Sequence, residues 1–154
     1  MRETDPFDND GAYEQSLLEV VGINERINLC NDWNGDYFFS IHHNTVSDPS
    51  VNYTLTLYPE KNAGKPYDSA TVNWANYTTT HLLEVMNVTT GYTSGDITFL
   101  GYGLTVLQGA QMPAIQTEAS FFSNPDERLL LNQNSYLEAE AGAIFDAFVQ
   151  FIGP

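Results

Sequence analysis

The segment Tyr37-Phe38-Phe39-Ser40-Ile41-His42 constrains the fold more than any other. It is a short, largely apolar run without clean alternation, which is the pattern of a strand covered on both faces. Such a strand calls for helices above and below its sheet. The run closes in His42-His43-Asn44, so imidazoles stand where the buried strand ends, and strand ends are where α/β sheets keep their chemistry. A second segment answers it far down the chain, where Ala114-Ile115-Gln116-Thr117 leads into Glu118 and then Ala119-Ser120-Phe121-Phe122-Ser123-Asn124-Pro125. A histidine and a carboxylate at two strand ends point to metal-assisted hydrolysis.

The rest of the chain alternates in the same way. The stretch through Ala12 reads as loop, and Glu14 to Trp33 has helical spacing that Gly22 is expected to divide. Val51 to Tyr58 is rich in β-branched and aromatic residues and reads as a strand ended by Pro59. Asp68-Ser69 can cap a helix reaching about Met86. Gly91 to Gly103 is expected as an extended loop interrupted by a strand at Ile97 to Leu100, with Leu104 to Leu107 and Ala114 to Thr117 as two further strands. Asn124-Pro125-Asp126-Glu127 starts a helix with proline in its first turn, running to about Leu131. The last helix, Ser135 to Ile152, is expected to bury Leu137, Ala141, Ile144, Phe145, Phe148 and Ile152, with Glu138, Glu140, Asp146 and Gln150 outside. Together these predict one α/β domain over residues 1–154, with a mostly parallel central sheet flanked by helices in three layers.

Composition narrows the partners. Twenty acidic against five basic residues give a net charge of -15, which repels phosphate backbones and anionic lipid and excludes nucleic acid as an expected partner. No window has the length of apolar sequence needed for membrane insertion, and the start resembles no signal peptide, so the chain reads as soluble. The single cysteine, Cys30, forms no internal disulfide and reads as a small apolar residue in a helix. Three glycosylation sequons, at Asn52, Asn76 and Asn87, carry no weight in an Asn- and Thr-rich chain.

Each chemical candidate has a bland alternative. Successive strand residues point to opposite faces, so His42 and His43 address one site only with a bend, and otherwise one of them packs or hydrogen-bonds at the strand end. Glu118 sits among apolar neighbours, where a carboxylate must be paired, metal-bound or open to a cleft. It serves equally as a structural group held by backbone donors or as the base that takes a proton from metal-bound water. His81 lies in a helix beside Leu82 and Leu83 and reads as structural.

Taken in order, these segments resemble the zinc-dependent N-acetylmuramoyl-L-alanine amidases of the Amidase_3 family. The resemblance is carried by Arg2-Glu3-Thr4-Asp5, by Asn24-Glu25-Arg26-Ile27-Asn28-Leu29-Cys30-Asn31, by Ser40-Ile41-His42-His43-Asn44, and by Pro113 to Glu118 with Phe121-Phe122-Ser123-Asn124 and Glu127. It implies that His42 is a zinc ligand and Glu118 the carboxylate that activates zinc-bound water. The implied substrate is peptidoglycan, cut at the amide between the lactyl group of N-acetylmuramic acid and the L-alanine of the stem peptide. The implied location is periplasmic or extracellular, with a possible activator protein of unknown identity. Nothing carries over to His43 or His81.

Three departures accompany the resemblance. The family's Gly-His-Gly-Gly motif and its following glutamate ligand do not occur, so the first strand and helix of the family fold are expected to be absent and this chain to be a weak or inactive fragment. Asn52 stands where a glycine is usual, and Ala119-Ser120 replaces the common small-residue pair after Glu118. The competing expectations are a non-catalytic amidase-like module that binds peptidoglycan or a protein, and another zinc hydrolase on a related fold.

Overall fold

A computed structural model describes residues 15–60 and 69–153, the first helix by its backbone alone as far as residue 21. The elements in order are α1 (Gln15–Asp32), β1 (Phe38–Asn44), β2 (Thr54–Tyr58), α2 (Ser69–Val85), β3 (Gly91–Gly95), α3 (Asp96–Leu100), α4 (Thr105–Gly109), β4 (Ala114–Phe121), α5 (Pro125–Leu130) and α6 (Asn134–Ile152). The expected segment Arg2-Glu3-Thr4-Asp5, the opening loop and the Asp68 cap lie outside the described residues.

Four strands form one sheet in the order β1-β4-β2-β3. β1 and β4 run parallel, as do β2 and β3, and the two pairs join through antiparallel β2 and β4. The sheet is mostly parallel and has helices on both faces, as the alternation of elements predicts. Strand alternation sorts the core into two layers. Leu55, Leu57 and Ala114 pack with Leu107 of α4 on one face. Ile115 and Ala119 turn to the other, against Trp74, Ala75 and Leu82 of α2 and Ala143 and Ile144 of α6. An aromatic cluster fastens that second layer: Trp74 stacks on Phe151 at 5.2 Å, and Tyr37, just before β1, meets Phe148 edge-on at 5.1 Å.

Several expectations give way. Gly22 does not divide α1, which is continuous; a helix-interior glycine costs only about 1 kcal/mol relative to alanine. Gly91 to Gly95 is a strand, not loop, laid parallel to β2. Its glycine has a packing reason, since a Cβ at Gly91 would stand 2.9 Å from Thr79 Cγ2 of α2. Ile97 to Leu100 lies in helix α3 rather than a strand, because carboxylates satisfy the donors that a helix start leaves open. Asp96 accepts from Ile97 N at 2.8 Å and Leu104 N at 2.8 Å, and Glu60 accepts from Thr98 N at 2.7 Å. Leu104 to Leu107 likewise enters helix α4 instead of a strand, with Gln108 N bonded to Leu104 O at 2.8 Å. A four-residue apolar run has no period to tell strand from helix.

The burial of α6 is also not the one expected. Leu137, Ala141, Phe145 and Ile152 face outward, and the inward stripe is Glu140, Ala143, Ile144 and Ala147. Small alanines let α6 lie close against α2 and the sheet, so size alone misassigned the faces. Glu140, expected on the solvated side, is buried.

Candidate active site

The parallel pairing of β1 and β4 brings the two singled-out groups together. His42 stands directly opposite Glu118 in the register, and Ser40 opposite Gln116. Residues paired in this way share a face of the sheet, so these four form a polar strip toward the carboxyl ends of both strands. The strip borders a cavity of about 610 Å³, walled by Arg26 of α1, Gly103 and Thr105, and lined by Ser40, His42 and Gln116. All five residues from Phe38 to His42 line it. Since alternate side chains point to opposite faces, a cavity touched by every residue runs along the strand's outer edge. β1 is the last strand on its side of the sheet among the described residues.

Glu118 is partly buried and accepts a hydrogen bond from Gln116 Nε2 at 2.9 Å. Burial pushes its carboxyl above the ordinary range, and the Gln116 hydrogen bond and the two histidines pull against that rise. It is thus a carboxylate poised to hold or release a proton beside an exposed imidazole. His43 does not share this cleft. It leaves β1 on the other side, where Nδ1 lies 2.9 Å from Ser120 Oγ and Nε2 lies 3.3 Å from Glu140 Oε2. His81 is structural, its Nε2 2.9 Å from Gln150 Oε1 across the α2–α6 contact.

The flanking polar residues hold the strand ends. Asn44 closes β1: its carbonyl accepts from Phe122 N at 2.7 Å. Asn52 takes up the loop work that a glycine was expected to do. Its Oδ1 accepts from Phe121 N at 3.0 Å, and its Nδ2 donates to Asn87 O and to Glu127 Oε2. Fully buried Glu127 also accepts from Tyr136 Oη at 2.6 Å. Burial and that hydrogen bond push the Tyr136 hydroxyl far above its usual range. Asn124 caps α5 as expected, accepting from Asp126 N and Glu127 N at 3.1 Å each. On the far side Asn31 ties α1 to the chain after α4, donating to Gly109 O and accepting from Gln111 N. Cys30 is half-buried against Met112.

Sequence reasoning missed Gln116, Ser120 and Glu140. Gln116 was visible in principle, two residues before Glu118 on the same strand face. Glu140 had a signal only in its spacing to Ala143, Ile144 and Ala147, which repeats one helical face.

A metal is tested by its donors. A catalytic zinc takes three protein ligands and an open position. His42 is a suitable donor, but among the described residues no group of three His, Cys, Asp or Glu comes together. These residues do not by themselves fit the ion.

Comparison with known proteins bears on this geometry. The chain is 28% identical over 123 residues to the sporulation-specific N-acetylmuramoyl-L-alanine amidase of Bacillus subtilis (strain 168), covering 80% of this chain and 43% of that one. Its fold is similar to the CwlD amidase of Clostridioides difficile, solved in complex with the GerS lipoprotein, with a TM-score of 0.76 at 19% identity over 94% of this chain and 72% of that one. It is also similar to the catalytic domain of CwlV, an N-acetylmuramoyl-L-alanine amidase from Bacillus (Paenibacillus) polymyxa var. colistinus, with a TM-score of 0.68 at 20% identity over 84% and 65% of the two chains. The chain therefore spans less than half of the Bacillus subtilis relative and about two thirds of the solved CwlV domain. Residues 8–150 match the model of the Amidase_3 family, N-acetylmuramoyl-L-alanine amidase, and the chain belongs to that family.

Proposed function

We propose that this chain carries one side of a peptidoglycan amidase site, which hydrolyses the amide between the lactyl group of N-acetylmuramic acid and the L-alanine of the stem peptide. The observation that carries the reading is the register of His42, which lines the cavity, opposite Glu118 in the carboxyl-terminal halves of two parallel strands. Glu118 acts as general base, taking the proton of the attacking water and returning it to the amide nitrogen as that bond breaks. Its raised proton affinity suits both transfers, and Gln116 orients the carboxylate. His42 contributes to zinc binding, whose remaining donors the described residues do not supply. The cavity along the β1 edge has room for an extended segment of chain. Peptidoglycan as substrate implies a periplasmic or extracellular location, and no described helix is long and apolar enough to cross a membrane. The CwlD amidase forms a complex with the GerS lipoprotein, and an accessory protein is the kind of partner expected here.

A second reading, a module that binds peptidoglycan without cutting it, is supported by the absence of a three-donor metal group among the described residues. Incubating the chain with zinc and insoluble peptidoglycan, and assaying newly exposed L-alanine amino groups, separates the two. The amidase reading expects slow release that Glu118→Gln abolishes. Chain that sediments with the wall and releases nothing selects the binding module, and release unaffected by Glu118→Gln removes Glu118 from the chemistry.

A further inference from the structure

Three side chains meet on the far side of the strands from the His42–Glu118 strip. His43 of β1 contacts Ser120 of β4 at 2.9 Å and Glu140 of α6 at 3.3 Å, so one imidazole joins three elements. The order serine, histidine, glutamate suggests a nucleophilic triad, but Ser120 is fully buried and its hydroxyl reaches no substrate.

The location points to another task. His42 pairs with Glu118, yet Asn44 pairs with Phe121. Two steps along β1 thus run against three along β4, which puts an extra residue within Ala119-Ser120. At such a bulge the ladder is locally disrupted and the strand bends. The His43–Ser120 hydrogen bond crosses that gap, immediately after the His42–Glu118 pair.

Glu140 is a costly residue to keep there. It is 4% exposed, and its Oε1 has no hydrogen-bond partner. An unmet oxygen on a buried carboxylate opposes folding, and an apolar side chain of similar volume holds a helix to a core at least as well. Packing therefore gives no reason for a carboxylate at this position. Orientation does: an Nε2–H directed at Glu140 leaves Nδ1 as the acceptor for the Ser120 hydroxyl.

We propose that Glu140 is a positioning residue for the hydrolytic site: it fixes the ring and tautomer of His43, keeps the His43–Ser120 clamp closed over the bulge, and so holds His42 opposite Glu118. The clamp itself stands on geometry, and its consequence for catalysis rests on the amidase reading.

The test compares the 154-residue chain with Glu140→Leu, Glu140→Gln and Ser120→Ala. The chain has three histidines, at 42, 43 and 81, so ring-nitrogen NMR reports the clamp without any turnover. His43 is expected as a single Nε2–H tautomer in the parent and in Glu140→Gln, whose amide oxygen accepts the same hydrogen. Glu140→Leu and Ser120→Ala lose that preference and shift the His42 signals too. Ser120→Ala, which removes one hydroxyl, carries the test if the leucine variant does not fold. Peptide release follows the spectra: turnover about tenfold lower at unchanged KM in Glu140→Leu and near the parent value in Glu140→Gln, with the leucine variant melting no lower. His43 signals indifferent to both Glu140→Leu and Ser120→Ala overturn the proposal. So does a leucine variant that melts lower while the His42 signals stay in place, which makes Glu140 a packing residue. Failure of the parent chain to release peptide sinks the amidase reading, while the tautomer still decides the clamp.

Discussion

At Glu118 a carboxylate is partly withdrawn from water, and burial outweighs the hydrogen bond from Gln116 and the nearby histidines in setting its proton affinity. The folded chain holds that proton to higher pH than the unfolded chain does. Over the window from the ordinary carboxylate range up to the raised value, the native state binds more protons, so stability falls as pH rises. In the metal-free protein, denaturant unfolding across this window should show that descent, and Glu118→Gln should flatten it; an unchanged slope in the variant would assign the descent to other groups. His42 and Glu118 were readable from sequence because each follows an apolar run, where a polar side chain is conspicuous, although β4 does not stop at Thr117 as expected but carries Glu118 within it and runs on to Phe121. Ser120 and Glu140 were not. Ser120 depends on a bulge that no local pattern announces, and Glu140 resembles any solvated helix glutamate until the helix is set against the sheet.

Among the elements, those with a full period or a cap were readable and the short ones were not. α2 and α5 begin and end close to where spacing and the Asn124-Pro125 cap put them. α3 and α4 have five residues each and lean on groups distant in sequence: Glu60 accepts from Thr98 N in α3, and the buried carboxylate of Asp96 accepts from Leu104 N at the start of α4, whose Leu107 enters the core. α6 was found as a helix with Ile144 inside and Glu138, Asp146 and Gln150 outside as expected, but part of its face was misassigned, because its outward stripe carries large apolar residues, Phe145 at 64% exposure among them. Gly142 lies on this outer side, with nothing within 4 Å of a Cβ placed there. Glycine in a helix interior costs about 0.5–1 kcal/mol relative to alanine, so Gly142→Ala should raise the unfolding free energy by that amount in a denaturant melt. A loss instead would mean that the outer stripe of α6 is covered in solution.

On the scale of the whole molecule, an α/β sheet brings residues 42 and 118 together because β1 and β4 are parallel neighbours separated by the rest of the chain. The parallel pairs were implied by alternation of strands with helices, while the antiparallel join of β2 to β4 depends on a topology that spacing does not encode. With 20 acidic and 5 basic residues, the surface disfavours anionic polymers, so affinity for a bacterial wall falls to neutral contacts with sugar and peptide. The chain holds one side of the proposed hydrolytic site, His42 with Glu118, and among the described residues no complete set of metal donors joins it. Zinc affinity of the chain, measured by competition with a chromophoric chelator beside His42→Ala, tests this most directly. Binding weaker than about 1 μM that His42→Ala weakens further is expected; tight stoichiometric zinc, or zinc indifferent to His42→Ala, would rule this arrangement out.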